Sequence, residues 1–347
     1  MARCDVTVLG GGIFGLACAW ALVQRGARVR VIEAAQIGAG ASGGLVGALS
    51  PHMPENWNEK KQFQLESLLM AQGFWAGVAA ASGLPTGYGR VGRLQPLADA
   101  AAVEKARARG QGAAALWQGA AVWQVEPATG AAWEPVSPSG LLLRDTLSAR
   151  LHPRLAAAAL VGALQAAGAE VLVGNGTPQG MVLHATGTAG LAELSTALGR
   201  PVGGGVKGQA LALRLPTPPD APQLYAGSLH IVPHVDGTVA IGSTSEREWG
   251  DATATDAQLD ALHAQAVAAL PCLAGAPVVA RWAGLRPRAR SRAPMLGAWP
   301  GRPGHFIANG GFKIGFGMAP KVAAVMADLL LTGADAIPAG FRVEDNL

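Results

Sequence analysis

The chain has 347 residues, of which 50% are hydrophobic, 14% are charged and 48 are glycine. That length and apolar share exclude disorder and allow two domains, or one large domain with an insertion. The net charge of +4 comes from scattered Lys and Arg with one dense run at Arg281, Arg286, Arg288, Arg290 and Arg292; no basic stretch interleaves with aromatics, so nucleic acid is not the expected partner.

Asp5 to Leu9 reads as a short apolar strand that ends in three glycines. The segment IFGLACAWALVQRG, stopped at Gly26, reads as a helix, and Arg28 to Ile32 reads as a second strand that ends at Glu33. Strand, glycine turn, helix and strand make a βαβ unit, which builds parallel sheets with helices on their faces. A small-residue loop, IGAGASGGLVGALS, covers 37–50; helices are predicted over 60–82, 99–109, 151–168, 255–270 and 318–332. Strands are predicted over 89–97, 171–173, 182–184, 207–215, 225–241 and 306–308, with Asp236-Gly237 as a hairpin signal inside 225–241. Helix–strand alternation at both ends, with antiparallel sheet between, predicts interleaved rather than consecutive domains.

Cys4, Cys18 and Cys272 show neither metal spacing nor a CxxC, so no metal site is expected and the compartment reads as reducing, hence cytoplasmic. No apolar stretch of about 20 residues runs without glycine punctuation, so no membrane span is expected.

The segment Gly10-Gly11-Gly12-Ile13-Phe14-Gly15 is a GxGxxG that directly follows a strand and opens a helix, with the acidic Glu33 at the end of the next strand. In that context it is a dinucleotide fingerprint. Gly10 makes the turn, Gly12 admits the pyrophosphate to backbone N–H groups, and Gly15 lets helix and strand close up. Glu33, followed by Ala34, accepts from a ribose and repels a 2′-phosphate. The second small-residue loop, with Gly40, Ala41 and Ser42, favours an extended cofactor such as FAD over a nicotinamide nucleotide.

Several ordered segments resemble the flavin-dependent D-amino acid oxidase superfamily, which includes glycine oxidase and sarcosine oxidase. They are the fingerprint with GASGGLVGALSP, VGRLQPL at 91–97, VKGQ at 206–209, IVPHVDGTVAIGSTSE at 231–246, RWAGLRPR at 281–288 and ANGGFKIGFGMAPKVA at 308–323. The resemblance implies an α/β and α+β fold: a doubly wound, Rossmann-like FAD-binding domain in discontinuous segments (1–50, 145–205 and 290–347), and a mixed-sheet substrate domain (51–144 and 206–289). It implies oxidation of the C–N bond of a small amino acid (glycine, an N-methylglycine or a D-amino acid) by hydride transfer to flavin N5. The imine is then hydrolysed, and oxygen or another acceptor reoxidises the flavin. No cysteine stands where sarcosine oxidase attaches its flavin, so the FAD is expected to be noncovalent.

The resemblance places the carboxylate-binding cation at Arg286 and a second at Lys313. His52 and Tyr225 are further catalytic candidates, and His234, Ser50, Trp57, Trp249 and Trp282 are weighed against core or loop roles. Gly47, Ala48 and Leu49 are expected beside the flavin ring; Val173, Ala185 and Gly187 near the nucleotide; and Gly311, Phe312, Lys313 and Ile314 at the reduced flavin, with the N–H groups of Ile314 and Gly315 as donors. Two of these segments also resemble the flavin half of a bifunctional tRNA wobble-uridine enzyme that removes a carboxymethyl group from an amine. That alternative stays open in the sequence, as does the oligomeric state.

Overall fold

The structure, a computed structural model, describes residues 4–347; positions 1–3 of the first expected segment lie outside the described residues. The first half runs β1 (Val6–Leu9), α1 (Ile13–Val23), β2 (Val29–Glu33), β3 (Ala48–Leu49), α2 (Glu59–Ser82), β4 (Arg93–Pro96), α3 (Ala100–Trp117), β5 (Trp123–Pro127), β6 (Leu141–Asp145), β7 (Ala149–Arg150) and α4 (Pro153–Ala166). The second runs β8 (Glu170–Val173), β9 (Met181–His184), α5 (Gly187–Ala197), β10 (Gly203–Arg214), β11 (Gln223–Ala226), β12 (Leu229–Pro233), β13 (Thr238–Gly242), α6 (Ala257–Ala269), β14 (Val278–Ala289), β15 (Met295–Ala298), β16 (His305–Asn309) and α7 (Gly315–Thr332).

Six strands form one sheet in the order β15-β16-β9-β1-β2-β8, parallel throughout except for β15. Val6, Thr7 and Val8 are all buried, as a strand covered on both faces requires. Eight strands form a second, mixed sheet, β14-β10-β13-β12-β11-β4-β6-β5. β3 and β7 pair separately, antiparallel. The strands of the six-stranded sheet all come from 4–33, 170–184 and 295–309. The helix α2 lies in the middle segment of the sequence, yet it packs on α7 and α4 and shares the core of that first sheet.

Two helices extend further than their local sequence suggests. α3 runs eight residues past 109, to Trp117, through Gly110 and Gly112. The alanines at 113–115 favour helix, and Trp117 meets Trp123 edge-on at 6.0 Å, so packing outweighs the glycine cost. α7 begins at Gly315 rather than 318, and its first turn packs against α1 and α2, where Gly315 and Gly317 lie in ordinary contact with Ile13 and Leu68.

Between β11 and β12 the turn is Gly227-Ser228, with φ of +54° and +76°. Two positive values are the signature of a two-residue hairpin turn, which a reading of 225–241 with one break at Asp236-Gly237 does not anticipate. The Asp236 turn forms as well: its carboxylate accepts from the Thr238 N–H at 3.0 Å. α5, β5, β6, β14 and β15 are further elements beyond the predicted set.

Among the described residues α7 is long and apolar enough to cross a bilayer. Met318, Ala319, Val322, Ala323 and Met326 on it are fully buried against the protein core, which accounts for its composition.

Candidate cofactor and substrate site

The fingerprint turn is shaped by contacts that forbid a side chain. Gly10 has φ +108°, and a Cβ there would stand 2.4 Å from the Ala185 carbonyl oxygen. A Cβ on Gly15 would stand 2.0 Å from the Gly10 oxygen. Gly10, Gly15, Ala185 and Gly187 therefore converge, and Asn309 ties them down by donating from Nδ2 to the Gly187 carbonyl at 2.8 Å.

The loop after β2 is bound to the same turn. The Ile13 N–H donates to Ser42 Oγ at 2.9 Å. The Glu33 carboxylate accepts from the N–H groups of Gly11 at 2.6 Å and Ala35 at 3.0 Å. Among the described residues, the N–H groups of Gly12, Phe14 and Gly15 have no acceptor, so the positive end of α1 presents free donors beside a carboxylate. Ala34 and Gly40 are exposed next to it, with Ala41 part-buried. Val173 is exposed and pairs with Glu33 in register, which places it at the same sheet edge. The side chains of Ile13 and Phe14 are in the core, so these two residues face the site only through their backbone.

The C-terminal motif closes on this turn. A Cβ on Gly311 would lie 2.9 Å from Phe14 Cζ, and the Phe312 N–H donates to the Pro287 carbonyl at 2.9 Å. The Ile314 N–H, expected as a free donor, is already bonded to the Gly311 carbonyl at 3.0 Å. The open donors of α7 therefore start at Gly315. Gly47 and Leu49 also pack against the scaffold. A Cβ on Gly47 would strike the Leu151 carbonyl oxygen at 1.7 Å, so the segment after β7 demands that glycine, and the Leu49 side chain is buried in the core. Ala48 between them stays partly open.

The residues expected to hold a substrate are built on β10 and β14. Alternation along β14 puts Trp282, Gly284, Arg286 and Arg288 on one face. On the opposite face of β10, Lys207 and Gln209 hold the buried Glu246: Gln209 Nε2 donates to its Oε1 at 3.1 Å, and Lys207 Nζ lies 3.6 Å from its Oε2. The Thr244 hydroxyl bonds the same carboxylate. Thr244 in turn offers its backbone carbonyl to Arg286 Nη1 at 3.1 Å. The motifs VKGQ and GSTSE thus form one scaffold for Arg286.

Arg286 is 8% exposed. Its guanidinium lies over Gly208, where a Cβ would fall within 2.0 Å of Cζ. Gly208→Ala should therefore displace Arg286 and raise KM for a carboxylate substrate while the flavin spectrum stays that of wild type; steady-state kinetics on the purified holoprotein checks this, and an unchanged KM refutes the placement. Burial pushes the guanidinium down to about 10, with Glu246 acting against that shift. Lys313 is pushed below the ordinary lysine range by desolvation and then by the charge of Arg286, so the two cations share a region.

Tyr225 pairs with His230 across the β11–β12 hairpin, rings 4.9 Å apart, and the guanidinium of Arg93 lies 5.8 Å from the Tyr225 ring. His230, which no sequence motif marks, is pushed down to about 4 by burial and by the charges of Arg93 and Lys313. Its only signal in the sequence is its position opposite Tyr225, in a hairpin whose turn carries no Asn-Gly or Asp-Gly pair.

The other candidates turn to the scaffold. Both the backbone N–H and Nδ1 of His52 are engaged by Gln64 of α2, so His52 anchors the 50–58 loop. Ser50 donates to Gln223 Oε1 at 3.3 Å. His234 faces Leu45 rather than the clamp, with Nε2 3.0 Å from that carbonyl. Trp57 bonds Gln62 through Nε1. Trp282 lies 3.5 Å from a Cβ position on Gly44 and 2.6 Å from one on Gly284. No contact brings Trp249 to the site among the described residues.

His184, His230 and His234 are each pushed from 6.5 to about 4, first of all by burial. Folding keeps them neutral, whereas the unfolded chain protonates them near 6.5, so the unfolded state binds more protons between those values. The stability they contribute is present above pH 6.5 and is lost as pH falls toward 4. Tm measured across that window should fall steeply, and His234→Asn should flatten the slope; a slope unchanged in the variant contradicts the assignment.

A family model described as FAD dependent oxidoreductase matches residues 5–329. The chain belongs to the FAD-dependent oxidoreductase family. Glycine oxidase of Geobacillus kaustophilus is 28% identical over 370 residues, covering 94% of this chain and 93% of that protein. A crystal structure of glycine oxidase from that organism aligns with a TM-score of 0.85 at 23% identity over 99% of both chains. Glycine oxidase of Pseudomonas putida is 38% identical over 144 residues, and the bifunctional protein ThiO/ThiG of Nostoc sp. is 28% identical over 351 residues. The matched region spans 39% of the Pseudomonas protein and 52% of the Nostoc protein, about half or less of each.

Family membership makes FAD the dinucleotide, and the residues fit it. Three free N–H donors at the start of α1 would suit a diphosphate, and the hydroxyls of Thr186 and Thr188 are buried without a partner where α5 begins.

Proposed function

We propose that the protein oxidises the C–N bond of a small amino acid held by its carboxylate between Arg286 and Lys313. One observation carries this reading. Arg286 is a buried cation with a single hydrogen bond and, among the described residues, no carboxylate within ion-pair reach. Glu246 is near enough to favour its charge but is already engaged by Lys207, Gln209 and Thr244. A buried unpaired guanidinium is costly, and its planar fork matches a carboxylate with two parallel hydrogen bonds.

FAD, when bound, supplies the two-electron acceptor. The protein's part is orientation and charge. Gly12, Phe14 and Gly15 hold the diphosphate, and Glu33 holds the ribose. Arg286 and Lys313 fix the carboxylate and hence the adjacent C–H. Their two positive charges also disfavour the substrate ammonium, so the amine is held neutral with its lone pair available. The C–H bond breaks with its electron pair leaving as hydride, the nitrogen lone pair forms C=N, and water hydrolyses the imine to a carbonyl acid and ammonia or an amine. Oxygen is the proposed final acceptor. Tyr225 and His230 border the amine side.

Anaerobic mixing of the holoenzyme with glycine, N-methylglycine, D-alanine and a carboxymethylaminomethyl-modified tRNA tests the reading. Flavin bleaching by at least one free amino acid supports it. Bleaching by the tRNA alone assigns the chain to the nucleic-acid alternative instead.

A further inference from the structure

A second set of cations lies beside the clamp. A cleft of about 430 Å³ is lined by Pro201, Gly203, Gly204, Arg288, Arg290 and Arg292 among others. Gly203 and Gly204 give it a bare floor; a Cβ on Gly204 would meet nothing within 4 Å. Among the described residues none of the three arginines has a carboxylate within 4.0 Å, unlike Arg281 on the same strand, which pairs with Asp260 at 2.6 Å. Lys60 bonds the Arg292 carbonyl and is pushed below the usual lysine range by burial and by the charges of Arg292 and Arg288. The cleft therefore concentrates positive charge with no built-in counter-ion.

The cleft shares a wall with the clamp. Arg288 stands two residues beyond Arg286 on the same face of β14. Its backbone bridges to Gly311, two residues before Lys313. The Arg288 guanidinium lies 5.8 Å from the centroid of the Phe312 ring, and Lys313 Nζ lies 5.6 Å from the same centroid. Phe312 thus lies close to both the outer cation, Arg288, and the inner one, Lys313.

We propose that this cleft receives a second carboxylate of the substrate, so that the preferred substrate is a dicarboxylic amino acid rather than a neutral one. The inference rests on the carboxylate clamp of Arg286 and Lys313. A zwitterionic amino acid brings one carboxylate, which the inner pair already accommodates, and leaves the outer arginines unpaired. A second carboxylate supplies the missing counter-charge and is drawn in by the field of the cleft.

The test compares kcat/KM for glycine, D-aspartate and iminodiacetate on the holoenzyme, read by anaerobic flavin bleaching. The better dicarboxylate should exceed glycine by about tenfold or more, the scale of one added charge-assisted hydrogen bond, and the ratio should shrink as salt is raised. In Arg288→Ser/Arg290→Ser the ratio should fall toward one; Arg292→Glu, a change at an exposed residue that leaves the strand intact, should lower it as well. A ratio at or below one in the wild type, or a ratio that survives both variants, overturns the second-carboxylate site and leaves the clamp standing. No bleaching by any of the three compounds overturns this inference, and the clamp falls with it if N-methylglycine and D-alanine also fail to bleach the flavin.

Discussion

Arg286→Ala lowers kcat/KM for a small amino acid by about 30-fold to 5,000-fold, the equivalent of the ~2–5 kcal/mol typical for truncating one partner of a buried, hydrogen-bonded charge pair. The range follows from where the side chain stands. Arg286 is buried, rests on Gly208 and is steadied by the Thr244 carbonyl, so little solvent competes for its donors. Alanine removes the fork and leaves the space over Gly208 empty. The loss should fall mainly on KM, because carboxylate binding serves the ground state and the transition state alike. Arg286→Lys restores charge but not the fork, and should recover only part of the loss. FAD stays bound in both variants, since no residue of the nucleotide cradle touches Arg286. Kinetics of Arg286→Ala equal to wild type would remove this residue from the site.

Gly12→Val is expected to yield a folded protein without flavin. Gly12 has φ −85° and ψ 177°, an extended conformation that valine adopts readily. A Cβ there would meet only Ser42 Oγ, at 3.2 Å. The backbone therefore tolerates the change, and the atoms that valine adds project into the space where the free N–H groups of Gly12, Phe14 and Gly15 converge. Gly15→Ala is the instructive contrast. There a methyl stands 2.0 Å from a backbone oxygen, so the fold itself is strained, at a cost of ~1–3 kcal/mol or more. Flavin content and Tm measured together separate the two cases. A Gly12→Val protein that retains full flavin contradicts the cradle.

Much of this site is legible in the sequence because its constraints are local. Gly10, Gly15 and Gly311 are glycines for want of space, and a spacing rule detects that directly. Glu33 follows from the same rule and Ser42 from the small-residue loop, although their observed bonds run to the backbone of Gly11, Ala35 and Ile13. Arg286 and Lys313 are reached through resemblance rather than spacing, and the fold then brings them together from β14 and the loop before α7. His230 and the Glu246 scaffold are not legible. Both depend on pairing across strands distant in sequence, and Glu246 meets Lys207 and Gln209 only once β10 is in register. The contacts of His52 and Gly47 are not legible for a related reason: their partners, Gln64 and Leu151, belong to α2 and to the segment after β7, which no local pattern links to the small-residue loop. The α3 and α7 boundaries show the same limit, since helix packing there outweighs glycine and proline propensity.

The central claim is that a carboxylate is what Arg286 and Lys313 recognise. The most direct measurement is the rate of anaerobic flavin bleaching by an amino acid, by its carboxamide and by the corresponding amine without a carboxyl group. The account predicts rapid bleaching by the acid. With the amide and the amine, which cannot accept charge-assisted hydrogen bonds from both cations, bleaching should be slower by about two orders of magnitude or more. Equal rates for all three compounds would contradict it.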